Sequence, residues 1–233
     1  MLEINATDRW HQQFPGGCVG ILEMAGADNA RRPTPLDALK RQVEQDLRAR
    51  YAGFGRSDFL RLETLDAYER YYKKFDKTYH VQLQLESIVL KGKSLPNVSP
   101  LVDAAFMTEM DTLVLTASHD AACLRGPVRI DATDGSESFT QMNGSTRTLR
   151  PGDMCMADEE SVVCTILYGQ DARTAISEAT RRVLYVSYAP AGVQWALVKQ
   201  HLEKLRDYVR LISPGTEVLQ LKLFVAGEAG PAS

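Results

Sequence analysis

Apolar residues recur along this chain in two rhythms. In the first, Leu36, Leu39, Val43 and Leu47 are spaced by three and four, which predicts a helix with one buried stripe. Thr34 is placed to cap it, Pro35 suits its first position, Asp37 can reach back to the free amides, and Gly53 stops it. Lys40, Arg41, Glu44, Asp46 and Arg48 fall off the stripe and are expected to face water. Residues 57–92 repeat the helical rhythm in two pieces broken near Lys77-Thr78. The first piece carries an aromatic stripe, Leu65, Tyr68, Tyr72 and Phe75, expected in the core. The second opens at His80 and alternates at first like a strand, but its length, the spacing of Val81, Leu85, Ile88 and Val89 and the stop at Gly92 assign it to helix. Ser99-Pro100 starts a further helix to about Met110, in the manner of Thr34-Pro35.

After Met110 the rhythm changes. Short apolar runs at 112–118, 127–132, 138–142, 146–149, 153–157, 161–168, 182–188 and 218–225 are separated by Gly, Asp, Asn and Pro, which predicts strands. Residues 18–24 form an early strand of the same kind, and residues 193–212 a late helix stopped by Ser213-Pro214-Gly215. Helices first and antiparallel-type strands afterwards indicate an α+β layered fold, because a doubly wound parallel sheet would alternate strand and helix. The expected organisation is a strand-helix extension over residues 1–60 packed on a main domain at 61–225, with a small, polar, disordered tail at 226–233.

Residues 153–180 hold the densest polar chemistry. Two strands there are joined by the acidic turn Asp158-Glu159-Glu160, and the apolar signal stops at Gly169. Gln170, Asp171, Arg173, Thr174 and Ser177 then precede the strand at Val183, a crowding of hydrogen-bonding groups between buried strands that marks a candidate ligand loop. The bland alternative is a solvated loop with an Asp-Arg pair. A second polar edge, His119-Asp120, ends the strand LVLTASHD; neighbours on a strand point to opposite faces, so the two serve different partners. His119 can donate and accept near neutral pH, as can His80. Both are also ordinary structural positions for histidine.

Composition narrows the classes. In 233 residues, 44% are hydrophobic and 24% charged, an ordinary globular balance, and no apolar run is long enough for a membrane span. The N-terminus has neither the basic start nor the apolar stretch of a secretory signal, so a cytoplasmic location is expected. Cys18, Cys123, Cys155 and Cys164 lack metal-type spacing, so no disulfide, metal site or cofactor is expected. A net charge of −3 argues against binding nucleic acid by bulk charge, so any such role falls to a local patch. The candidates are Lys73, Lys74 and Lys77 beside Tyr71 and Tyr72, with Lys91 and Lys93 further on. No Gly-x-Gly-x-x-Gly, P-loop, Gly-x-Ser-x-Gly or His-x-x-x-His pattern occurs.

The run Lys91-Gly92-Lys93-Ser94-Leu95-Pro96 with residues 97–106, the LTASHD strand, Asn143-Gly144, Pro151-Gly152-Asp153, Ala157-Asp158-Glu159-Glu160 and Asp171-Ala172-Arg173-Thr174 together resemble the B3/B4 domain. That domain is the tRNA-binding and editing region of the phenylalanyl-tRNA synthetase β subunit, and it also occurs in stand-alone proteins that this chain looks more like. The likeness covers roughly residues 66–190 and rests on order and spacing rather than on one motif. It implies a three-layer α+β domain built on a β-sandwich of unusual topology with flanking helices, and a pocket that in the synthetase hydrolyses tyrosine wrongly attached to tRNA.

Three departures stand out. Ala117 occupies the position of a family histidine, with His119 two residues on and on the same strand face; Arg173 falls near the family's pocket glutamate; and the later Thr-x-Ala segment has no counterpart. Two readings follow. One is a metal-independent aminoacyl-ester hydrolase acting in trans on mischarged tRNA, without aminoacylating activity of its own, in which His119, Asp120 and Arg173 are catalytic. His80, Gly144, Asp158, Glu159, Thr165, Asp171 and Thr174 would then line the pocket, and Lys73, Lys74, Lys91 and Lys93 would meet the nucleic acid. The other is a non-catalytic pocket protein for a free amino acid or related metabolite. Substrate identity and oligomeric state are not readable from the residues.

Overall fold

The structure, a computed structural model, describes residues 1–227. In chain order it contains β1 (Ile4–Ala6), α1 (Asp8–Gln13), β2 (Cys18–Ala25), α2 (Thr34–Arg50), α3 (Arg56–Phe59), α4 (Glu63–Lys73), α5 (His80–Val89), α6 (Pro100–Thr112), β3 (Leu115–Asp120), β4 (Val128–Ala132), β5 (Ser138–Thr140), β6 (Thr146–Thr148), β7 (Met154–Ala157), β8 (Val162–Thr165), β9 (Gly169–Gln170), β10 (Arg182–Ala189), α7 (Trp195–Ile212) and β11 (Glu217–Val225). A five-stranded sheet runs β1-β4-β7-β8-β9, a four-stranded sheet β11-β2-β10-β3, and β5-β6 form a separate hairpin. The fold is α+β, as the two rhythms predict.

The layers follow from which residues are buried. Strands β2 and β10 are buried along almost their whole length, so both faces of the four-stranded sheet are covered. Helices α6 and α7 cover one face: the Tyr185 hydroxyl donates to Leu101 O at 3.0 Å, and Gly20 lies under α7. A Cβ on Gly20 would stand 2.7 Å from Val198 Cγ1 and 2.9 Å from Leu202 Cδ1, so the helix sits on the sheet only because that side chain is missing. The other face meets β8, through Tyr188 and Cys164, and the tyrosines of α4.

Those tyrosines, with Tyr79 at the start of α5, do more than fill the core. The Tyr68 and Tyr79 rings stack 4.1 Å apart; the Tyr68 hydroxyl takes the Leu115 amide at 2.9 Å and donates to Tyr188 O at 2.5 Å, while Tyr79 donates to Leu113 O at 3.1 Å. They thereby clamp the turn between α6 and β3, where Leu113 adopts the left-handed conformation at φ 63 and closes the helix with a 2.7 Å bond to Glu109 O.

Several local expectations change. Thr34 makes no capping bond; Pro33 is the cap residue, and Asp37 pairs with Arg32 instead of the amides. Ser99 does not cap α6 either; its hydroxyl is buried without a partner, and Asp103 takes the Val98 amide at 2.9 Å. Lys40 and Glu44 do not face water. Lys40 is buried against Asp103 at 3.0 Å, and Glu44 accepts the Leu95 amide at 2.8 Å, because the loop before α6 folds over α2 and covers them. The sheets are not purely antiparallel, since β1 pairs with β4 in parallel. Strand β1 and helix α1 had no sequence signal: three residues are too few to show alternation, and α1 buries only Trp10.

The expected unit at 1–60 supplies β1 to one sheet and the interior strand β2 to the other. Of the tail, Ala226 is buried and donates to Gly17 O at 2.8 Å, and residues 228–233 lie outside the described residues. Among the described residues no helix is long and apolar enough to cross a membrane, and no group of His, Cys, Asp or Glu has the arrangement of a metal site.

Candidate ligand pocket beside β3

Strand β3 is the outer strand of its sheet, so one edge of its backbone needs other partners. At its far end the partner is chain: Asp120 N donates to Thr174 O at 2.8 Å, and His119 bridges Ala175. Nearer its start the partners are side chains. Ser118 N donates to Gln170 Oε1 at 3.2 Å and Thr116 N to Glu109 Oε1 at 2.7 Å. Where backbone gives way to side chains, a cavity of about 190 Å3 opens.

One wall is a helix face. Val102, Ala105, Phe106 and Glu109 follow one another by three, one and three residues along α6 and all point into the cavity. Opposite stand Thr116 to Ser118 of β3, then Cys164, Thr165, Gly169 and Gln170, with Tyr188 below and the exposed His80 at the rim.

Glu109 dominates the electrostatics. Burial pushes its carboxyl up to about 8, the Thr116 amide offsetting only part of that, so it is protonated at neutral pH. A protonated carboxyl both donates and accepts. The Tyr188 hydroxyl is buried against the Cys164 thiol with no oxygen or nitrogen partner, and burial raises both groups well above their ordinary values.

Of the residues expected to form the site, His80 and Thr165 line this cavity. The others are arranged differently. His119 is 0% exposed; its Nδ1 lies 2.7 Å from Thr174 Oγ1. That hydroxyl donates to Asp171 and therefore accepts from Nδ1–H, leaving Nε2 as the unprotonated nitrogen, without a partner. Burial first, then the Arg173 charge, push its pKa down to about 3. Asp120 takes the Ala122 amide at 3.0 Å and the Thr180 hydroxyl at 2.7 Å, starting a turn of 3-10 helix.

Arg173 donates to Cys123 O at 2.7 Å and to Asp158 at 2.8 Å. Asp158 also accepts the amides of Arg125, Glu160 and Ser161; burial works to raise its carboxyl, but these bonds outweigh it and hold the group below its ordinary value. His119, Thr174, Asp171, Arg173 and Asp158 thus form one connected network, as the polar loop suggested, but none of them lines the cavity. Glu159 is exposed in its turn, and Gly144 sits at the exposed tip of the β5-β6 hairpin with φ +82.

The four lysines do not converge. Lys73 is paired with Glu69 at 3.0 Å, and Lys74 lies over the Tyr71 ring and borders a groove with Phe14, Pro15 and Arg70. Lys91 is exposed, and Lys93 borders another groove that His80 shares with Leu83 and Ser87. The two grooves have no lining residue in common.

Glu109, Phe106 and Tyr188 were not anticipated as site residues. Glu109 had a readable signal, a carboxyl at helical spacing on the apolar face made by Val102, Ala105 and Phe106. Tyr188 had none, since an aromatic residue in a buried strand is ordinary core.

No curated protein matches the sequence. A crystal structure of an N-terminal fragment of the phenylalanyl-tRNA synthetase beta-subunit from Pyrococcus horikoshii aligns over 93% of this chain, with a TM-score of 0.48 and 11% sequence identity. The chain spans 50% of that fragment. A family model described as the B3/4 domain matches residues 64–210, more than half of the sequence and every residue that lines the cavity. The chain belongs to the B3/4 domain family.

Proposed function

We propose that this protein binds an amino-acid-sized group in the cavity beside β3, the rest of the ligand lying outside past His80. The observation that carries this reading is an apolar helix face, Val102, Ala105 and Phe106, closed by one buried carboxyl, Glu109. The volume of about 190 Å3 exceeds that of cavities that take benzene, about 150 Å3, so one side chain of that order fills it. Because Glu109 is neutral at neutral pH, the favoured ligand carries an uncharged polar tip, and an ionic tip would have to be desolvated. In this reading the His119-Arg173-Asp158 network is support that holds the β9 side of the cavity in place.

A second reading, hydrolysis of an aminoacyl ester on tRNA by a cytoplasmic protein, is favoured by the family and by one specific feature. His80 borders both the cavity and the groove that ends at Lys93, so a ligand longer than an amino acid would pass it. There it takes the proton of a water that attacks the ester carbonyl; the bond from that carbon to the tRNA ribose oxygen breaks, His80 returns the proton to the leaving ribose oxygen, and the amino acid is released separately as its carboxylate. Calorimetry with free amino acids, beside deacylation assays on charged tRNAs, tests both. Binding by a subset of amino acids, lost on filling the cavity, is the expected result; deacylation lost in His80→Ala would establish the second reading. The absence of both binding and deacylation would overturn the proposal.

A further inference from the structure

The chain holds 7 methionines, and packing treats them unequally. Met24, Met107, Met110, Met154 and Met156 are each 0% exposed, whereas Met142 is 59% and Met1 75% exposed. Met1 precedes Leu2, which is held by Glu23 and Gln220 on β2 and β11, and β11 lies at the opposite end of its sheet from β3. Met142 stands in the turn of the β5-β6 hairpin, where it does not line the cavity but touches a residue that does.

The hairpin is tied to the cavity wall by backbone and by one side chain. Ala172 N donates to Thr140 O at 2.8 Å, and Gln141 bridges Asp171, so the turn carrying Met142 is fixed against the segment that follows Gln170. Gln170 lines the cavity, and its side-chain amide spans two elements. Its Oε1 accepts the Ser118 amide of β3 at 3.2 Å, and its Nε2 is directed at Met142 Sδ, 4.0 Å away. One end of this bridge is an ordinary hydrogen bond; the other ends on a thioether, a weak acceptor.

A thioether in contact with water is open to peroxide. The sulfur lone pair attacks one peroxide oxygen, the O–O bond breaks, and the departing hydroxide takes the proton from the transferred oxygen and leaves as water. Sulfur is oxidised by two electrons, the peroxide is reduced, and methionine sulfoxide remains. Competing groups are shielded. The five inner methionines are closed off from water, and Cys18, Cys155 and Cys164 are buried. Cys123 is half-buried, and burial first, then Asp120, raise its thiol above the ordinary value, so little of it is thiolate. On Met142 the sulfoxide puts a polar oxygen acceptor in place of a weak sulfur one, facing the Gln170 amide.

We infer that Met142 is an oxidation site that latches the cavity: its sulfoxide oxygen accepts from Gln170 Nε2, holds Gln170 against Ser118 N, and slows passage through the wall between β3 and β9. The effect on a ligand rests on the pocket reading; the oxidation and the latch do not.

The test treats the full chain with hydrogen peroxide and places the added oxygen by peptide mass spectrometry. Met142 and Met1 are expected to oxidise before the other five. Deuterium exchange of the Ser118 amide, followed by NMR, then reads the bridge, and the rate at which methyl methanethiosulfonate modifies Cys164, which lines the cavity, reads entry. Both should slow at least about threefold in the oxidised protein, as one added hydrogen bond would give. Met142→Gln should show the slowing without peroxide, and Met142→Leu should show none with it. Gln170→Ala should speed both processes and abolish the response to peroxide. Oxidation of a buried methionine ahead of Met142, a peroxide response that persists in Met142→Leu, or an unchanged or faster rate in either readout would overturn the latch. Calorimetry of free amino acids with the unoxidised protein runs in parallel, so absence of a ligand counts against the pocket reading alone.

Discussion

Glu109 accepts the backbone N–H of Thr116 at 2.7 Å, reaching across the turn that joins α6 to β3. A carboxyl here does what the next strand of a sheet would do, so the edge of β3 is satisfied without being covered, and the space a strand would fill is left open as a cavity. The arrangement has a pH signature. Glu109 titrates at about 8 in the fold against an ordinary 4.5, so across that interval the folded state holds a proton that the unfolded chain has lost. Stability is full below the lower value and falls as pH rises through the upper one, with a slope of roughly 1 kcal/mol per pH unit. Glu109→Gln should remove this contribution, and urea denaturation of both proteins at several pH values measures the difference.

Ala105 lies on the cavity side of α6 and is buried. Ala105→Phe should fill the cavity and reduce affinity for any amino acid bound there at least about tenfold, with a stability change within about 1–3 kcal/mol. Calorimetry and a melting curve read the two effects separately. Unchanged affinity would place the ligand elsewhere.

His201 is 0% exposed on α7 and bridges two hydroxyls, Nδ1 to Thr112 Oγ1 at 2.7 Å and Nε2 to Thr116 Oγ1 at 2.6 Å. Burial, with Lys204 nearby, pushes its pKa down to about 3, so it is neutral in the fold. His201→Leu takes one partner from each hydroxyl, leaving Thr112 Oγ1 on Thr108 O and Thr116 Oγ1 on Ser187 Oγ, and should lower stability by about 1–3 kcal/mol. Wild-type stability should also fall as pH drops below the ordinary histidine value of 6.5, since the unfolded chain then takes up a proton that His201 in the fold refuses. That acid slope should be shallower in the leucine variant.

Gly20→Ala should destabilise the protein by about 1–3 kcal/mol, because the new methyl meets Val198 and Leu202 at under 3 Å and must lift α7 from the sheet. Val198→Ala in the same chain should recover part of the loss. Failure of that rescue in a chemical denaturation series would show that α7 does not press on this position.

Asp158 binds Arg173 and the three amides of Arg125, Glu160 and Ser161. Asp158→Ala leaves three backbone donors unanswered and takes the nearest carboxylate from a half-buried guanidinium that keeps Cys123 O, and should cost about 3–5 kcal/mol. Arg173→Ala should cost less and, since Arg173 does not line the cavity, should leave ligand affinity near the wild-type value.

Much of the fold was legible because its elements are long or strongly periodic. The stripe Leu36, Val43, Leu47 is the buried face of α2, the aromatic stripe is core, and residues 80–89 are helical despite their early alternation. The acidic turn at Asp158-Glu159-Glu160 and the link from His119 to the Arg173 loop were also readable. What failed depended on distant chain. Lys40 and Glu44 looked like a solvated face until the loop at 93–99 covered them, and the polar loop looked like a binding surface until its carboxylates took up its own amides and guanidinium.

By itself the sequence determined the two rhythms, and with them the α+β class, the helical core face of each amphipathic segment and the family to which the chain belongs, because these rest on local spacing and on the order of short motifs. Only the tertiary structure decided where the open space lies. A cavity exists where packing is left incomplete, and here that depends on β3 being an edge strand, on α6 standing beside it, and on Glu109 reaching Thr116 N across the turn. Polar residues clustered in sequence satisfied one another; the carboxyl that faces the cavity stood alone on an apolar helix face.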